Sequence, residues 1–171
     1  MLLALTVLTA RPDVLTASAA AAPVQPATSP AGDAEAEVLA VVDRFFVAFA
    51  ANDFATMAKL RVEGSVDFVD GPSKTGGTRL TRRPVTVERN TPGNYRERYW
   101  DPDVKVRGRI AVVWAPYEFW LDGKSHHCGI DVFEMVKEDD GWKIANLMWT
   151  QEPDACPSLR PSDPARMRPT I

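Results

Sequence analysis

The sequence predicts an α+β fold, with a helical layer packed on one face of a curved antiparallel sheet. Three observations carry this. An apolar stripe of helical period runs through residues 38–49. Three strand-like runs joined by tight turns follow between Ile110 and Glu152. The order is helices first and strands afterwards, with no internal repeat, which points to segregated layers rather than alternating βαβ units.

The 171 residues fit one domain plus tails, and 45% hydrophobic content is enough for a sizeable core. A formal net charge of −3 gives no global case for nucleic acid or an anionic membrane as partner. Residues 1–32 read as a signal-like leader and linker. Met1–Ala10 is apolar and of secretory length, and small residues with A-x-A options follow at 17–22. A basic start is missing, and Arg11-Pro12-Asp13 interrupts the path to the cleavage options. Export to the periplasm or outside the cell is the expectation, with a cytoplasmic chain carrying an Ala/Pro-rich leader as the alternative. The run is too short to span a membrane.

The domain is expected over 33–152. Asp33 caps a helix whose stripe is Val38, Leu39, Val41, Val42, Phe45, Phe46 and Phe49, with Asp43 and Arg44 off it. Asn52-Asp53 opens a short helix carrying Phe54, Met57 and Leu60 that stops near Gly64. Ser65–Val69 alternates as a strand that Asp70-Gly71-Pro72 ends. Residues 72–94 read as loops with one short strand or helix among them. The stretch 74–89 is basic, with Lys74, Arg79, Arg82, Arg83 and Arg89 against Glu88 alone. It is either a solvated loop or a lid over an acidic or phosphate-bearing ligand. Tyr95–Trp100 and Val104–Val106 form a strand broken at Pro102. The Pro-rich segment 153–171 is expected to be disordered or loosely docked.

Asp122-Gly123 suits a type I′ hairpin between Leu121 and Lys124. Extending that register puts Trp114 opposite Asp131. Pairing Lys137 with Trp142 puts Asp131 opposite Met148 and His127 opposite Glu152. With a side-chain period of two, one face then carries Trp114, Glu118, His127, Asp131, Phe133, Asn146 and Met148. These are apolar walls with a few convergent polar groups, the composition of a ligand pocket. The other face carries Tyr117, Ile130, Val132, Leu147 and Trp149, too much apolar area for a monomer surface, so a homodimer is expected through it. His126 and His127, adjacent on a strand, are expected on opposite faces. No CxxC or HExxH pattern occurs, and neither a metal nor a cofactor is expected. Cys128 and Cys156 could pair in an exported protein; otherwise Cys128 is a small buried hydrophobe.

The helix at Val38–Phe49, the ANDFATM step at Ala51–Met57 and the ending HCGIDVFEMVKEDDGWKIANLMWT at His127–Thr150 resemble the nuclear transport factor 2-like (NTF2-like, SnoaL-like) superfamily. The resemblance implies a cone with N-terminal helices roofing the concave sheet face, a pocket beneath them, and a convex face that often pairs subunits. It implies no single activity, because the fold hosts enzymes and binders alike. The ketosteroid isomerase branch uses a helix-1 tyrosine, absent here, and a first-strand base, for which Asp67 is close but Phe68 is the nearer match. Two functions follow. One is a small-molecule-binding domain of unassigned activity. The other is an acid/base lyase, isomerase or cyclase acting on a hydrophobic oxygenated substrate, in which Asp131 and His127 exchange protons and Trp114, Glu118, Phe133, Asn146 and Met148 hold the ligand.

Overall fold

The computed structural model describes residues 30–85 and 92–170. The leader-like segment 1–29, most of the linker, Glu88 and Arg89 lie outside them.

Helix α1 spans Pro30–Ala50, three residues ahead of the expected cap, so Asp33 sits inside its first turn. Helix α2 is Phe54–Lys59, and the side chain of Asp53 caps it by accepting from the Thr56 amide at 3.0 Å. Seven strands follow: β1 Arg61–Pro72, β2 Thr78–Pro84, β3 Tyr95–Tyr99, β4 Asp103–Arg107, β5 Ile110–Leu121, β6 Lys124–Glu138 and β7 Gly141–Thr150. A short helix, α3, covers Cys156–Leu159. Gly64, expected to end a helix, lies within β1, in the stretch where its register against β7 shifts.

The sheet order is β2-β1-β7-β6-β5-β3, with β4 also paired to β5. Every pairing is antiparallel except β1 with β7, which is parallel. The helical stripe packs on the sheet: Val38, Val42, Phe45 and Phe46 meet Val113, Phe133, Met135 and Ile144 in one core. Phe133 makes edge-on contacts with Phe45 and Phe46 at ring distances of 6.0 and 5.7 Å.

The predicted hairpin forms. Asp122 and Gly123 both have positive φ, 53° and 73°, and Leu121 faces Lys124. One pair later the register slips. Phe119 faces His127 while Trp120 faces Ser125, leaving His126 as an extra residue. From there on Ala115, not Trp114, faces Asp131. A second slip at Ala145 puts Trp149, not Met148, opposite Asp131, and Glu152 bridges to Cys128 rather than His127. Each bulge adds one residue to one strand, and one residue exchanges the two faces of everything beyond it. The side chains on the concave face are therefore Val113, Ala115, Tyr117 and Phe119 on β5, Asp131, Phe133 and Met135 on β6, and Trp142, Ile144, Leu147 and Trp149 on β7.

The segment after β7 is not loose. Cys156 is joined to Cys128 by a disulfide. Trp100 Nε1 donates to the Leu159 carbonyl at 2.8 Å. Tyr99 and Arg168 exchange two backbone hydrogen bonds of 2.8 Å. Arg168 also pairs with Asp43 on α1, which accepts from Tyr99 Oη at 2.7 Å. These contacts make residues 153–170 a strap over the edge and outer side of the sheet. No helix among the described residues is long and apolar enough to cross a membrane.

Candidate functional site

A cavity of about 320 Å³ lies between α1, α2 and the concave face. Phe45, Phe46, Phe49, Met57, Leu147 and Trp149 form its apolar wall, and Asp67, Arg83, Glu97 and Asp131 are its charged lining. Strand alternation explains the set. Asp67 pairs with Leu147 across the parallel β1–β7 contact, so it shares the inward side, and Phe68 faces Met148 on the outside. The first-strand position that looks into the cavity is thus Asp67, contrary to the sequence match with Phe68. Glu97 pairs with Phe119, so it points inward from β3.

Glu97 and Asp131 are the chemical centre. Both line the cavity, and each lies close enough to shift the titration of the other. Asp131 is 1% exposed, and among the described residues its Oδ2 has no hydrogen-bond partner. Burial, then the charge and hydrogen bond of Glu97, hold Asp131 well above the ordinary aspartate range. Burial pushes Glu97 up to about 8, opposed by the hydrogen bond from Asp131. Two carboxyls in one apolar site cannot both ionise, so the pair retains a proton where separate surface acids would have lost theirs. Burial also raises Asp67, against the pull of the Arg61 guanidinium bonded to it. Arg61 is itself buried, donates to Ser65 Oγ at 3.0 Å, and lies 5.7 Å from the Phe45 ring centre.

The other expected site residues are dispersed. Trp114 is 53% exposed on the outer face. Glu118 is also outside, buried under the strap, where Arg160 Nε donates to it at 2.7 Å and Nη2 forms a second bond. Asn146 ties three strands together on that side: its Nδ2 donates to Glu134 at 2.9 Å and its Oδ1 accepts from the Val66 amide at 3.3 Å. Met148 is half-buried there too. Phe133 does face inward but is consumed by core packing. His127 is buried beyond the cavity, against Tyr117 and Phe119. Because the bulge removes the alternation at His126, the two histidines touch, Nδ1 to Nδ1 at 2.8 Å, rather than facing opposite ways. Burial, then the charge of His126, lowers His127 to about 4, so it is neutral at physiological pH. The residue that meets Asp131 is Glu97, not His127.

The face expected to pair subunits is corrected by the same slips. Tyr117, Leu147 and Trp149 lie inside the cone, and only Ile130 and Val132 remain outside. Tyr117 Oη donates to the Thr150 carbonyl at 2.6 Å, and burial with the nearby Asp131 raises its pKa strongly. Sequence reasoning missed Glu97. The available signal was one acid between Tyr95 and Tyr99 on an alternating strand: two aromatics mark the inward side, and an acid of the same parity must share it.

Neither a protein-family model nor a curated protein sequence matches this chain. Solved structures do. An NTF2-like protein with a cystatin-like fold from Novosphingobium aromaticivorans is 14% identical, with a TM-score of 0.53 over 78% of this chain and 86% of that one. A putative dehydratase of the NTF2-like family from Streptomyces avermitilis is 18% identical, with a TM-score of 0.54 over 68% and 94%. The CaMKII hub homology domain of a Chlamydomonas is 18% identical, with a TM-score of 0.51 over 69% and 97%. The class is therefore an α+β cone of cystatin-like architecture. In particular, this chain has the NTF2-like fold, with its helical roof, curved mixed sheet and cavity between them.

Proposed function

We propose that the chain is a small-molecule-binding protein whose ligand occupies the cavity under α1, with a polar group of the ligand meeting Asp131. The observation that carries this is the orphaned Oδ2 of a buried aspartate at an apolar cavity. A buried polar atom without a partner costs about 1–3 kcal/mol, and a ligand hydroxyl or carbonyl at that point removes the cost. The volume is at the lower end of small-molecule pockets, about 300–1,000 Å³. Native mass spectrometry tests the reading. The wild-type chain is expected to carry a bound small molecule that Met57→Trp, which fills the cavity, excludes. An adduct that survives Met57→Trp contradicts it.

A second reading, an acid/base lyase, isomerase or cyclase acting on a hydrophobic oxygenated substrate, is favoured by the carboxyl pair itself. A carboxyl that keeps its proton near neutral pH can give it to, or take one from, an oxygenated carbon skeleton. In that case Asp131→Asn abolishes turnover while ligand binding persists; for a pure binder there is no turnover to lose.

Two further parts of the reading concern the whole chain. Val112 and Trp114 are exposed on the outer face beside half-buried Ile130 and Val132, which supports a homodimer through that face. The Cys128–Cys156 disulfide supports an oxidising compartment, in keeping with export to the periplasm or beyond.

A further inference from the structure

Beside the cavity lies a second recess of about 330 Å³, lined by the β1–β2 hairpin and Gln151. Arg79, Thr81 and Arg83 alternate along β2 on the inward side and line it, with Lys74 from the hairpin tip and Ser73 and Thr75 beside them. Its lining holds three cations and no acid. None of the three is in an ion pair with another described residue, a state they share with other cations such as Arg44, Arg82 and Lys124; what sets them apart is that all three line one recess. Arg83 belongs to both spaces: it lines the apolar cavity as well, and its guanidinium lies 5.7 Å from the Trp149 ring centre.

The acids facing this junction are accounted for. Asp67 sits across the strand pair from Arg83 and feels its charge, but its hydrogen bond goes to Arg61. Glu97 and Asp131 lie deeper in, where burial and mutual proximity keep both carboxyls from ionising together. Three exposed like charges lining one opening raise the local positive potential, and guanidinium groups bind carboxylates and related oxyanions in fork geometry. A free inorganic anion leaves the adjoining apolar space unfilled, and a neutral apolar molecule leaves the cations unmatched.

We infer that the ligand is an amphipathic organic acid, with its apolar body in the Phe45–Phe49–Trp149 cavity and its anionic group held at the mouth by Arg83 and Arg79, with Lys74 adding to the local positive field. This rests on the cavity reading above and names the chemical class that the cavity takes. It also gives the basic stretch of the sequence a role at an edge strand that otherwise exposes Leu80 at 67%.

The test uses two fluorescent probes of like shape, anilinonaphthalene sulfonate, which is anionic, and N-phenylnaphthylamine, which is neutral, titrated into the full chain. Wild type is expected to bind the anion about tenfold more tightly than the neutral probe. The Lys74→Gln/Arg79→Gln double variant, which leaves the cavity's own lining intact, is expected to weaken the anion severalfold, removing most of its preference, while leaving the neutral probe within about twofold. Raising the salt is expected to weaken the anion alone. Met57→Trp is expected to remove both probes, with an unchanged thermal melt as the check on folding. If the double variant keeps its preference for the anion, or wild type has none, the inference is overturned, while loss of both probes in Met57→Trp still upholds the cavity. If neither probe binds wild type, or both survive Met57→Trp, the cavity reading itself falls and the inference with it.

Discussion

Asp131 and Glu97 come from β6 and β3, which are not neighbours in the sheet; both face the cavity from either side of β5, Asp131 beside Ala115 and Glu97 beside Phe119. Their linkage to stability has a definite sign. Glu97 goes from its ordinary 4.5 to about 8 on folding. A raised carboxyl pKa gives stability that is full below about pH 4.5 and is lost as pH rises through about 8. His127 acts oppositely: its pKa falls from 6.5 to about 4, so its contribution is full above 6.5 and is lost as pH falls toward 4. Thermal melts from pH 5 to 9 are therefore expected to show a decline up to about pH 8 that levels off above it and that Glu97→Gln flattens. An equally steep decline in the variant would count against the pair. Gly129 sits where no side chain fits. A Cβ there would stand 2.1 Å from the Thr150 carbonyl oxygen, which also accepts from Tyr117. Gly129→Ala must push two strands apart and is expected to cost about 1–3 kcal/mol in chemical denaturation; a neutral result would mean that the β6–β7 contact is looser than described.

Elements were legible from the sequence to the extent that their signals are local. The stripe of α1, the Asp53 cap, the Asp122-Gly123 turn and the strand runs all rest on patterns within a few residues, and all are present. The candidate site was not, because it depends on register carried over ten residues. Ordinary residues, His126 and Ala145, form the two bulges. Nothing in their type marks an extra residue in a strand, yet each reverses which side chains face the helices. Hence Asp131 is placed on the inner face as expected, while Trp114, Glu118, Asn146 and Met148 are not. The strap was hidden for a related reason. Its proline-rich composition reads as unfolded, but its anchors, Cys156, Arg160 and Arg168, each find a partner distant in sequence. Arg160→Ala leaves the buried Glu118 carboxylate with no guanidinium partner and is expected to cost about 2 kcal/mol. Equilibrium denaturation checks this, and a variant as stable as wild type would show that the strap contributes little there.

For the molecule as a whole, the cone divides its apolar residues between a packed interior and an outer face that keeps Trp114 half in solvent. Light scattering is expected to give a dimer for the wild type and a shift toward monomer for Trp114→Ser; a wild-type monomer would remove the homodimer from the account. Inside the cone, Glu97 and Asp131 lie together against an apolar cavity, and burial holds the pKa of both up. Carbon NMR of side-chain carboxyls, followed while the pH is swept, reads this directly. Two signals, removed one each by Glu97→Gln and Asp131→Asn, are expected to titrate together and well above the ordinary carboxyl range, Glu97 at about 8. Two independent titrations near pH 4 would contradict the account, because the acids would then be separate, solvated and unable to hold a proton for a ligand.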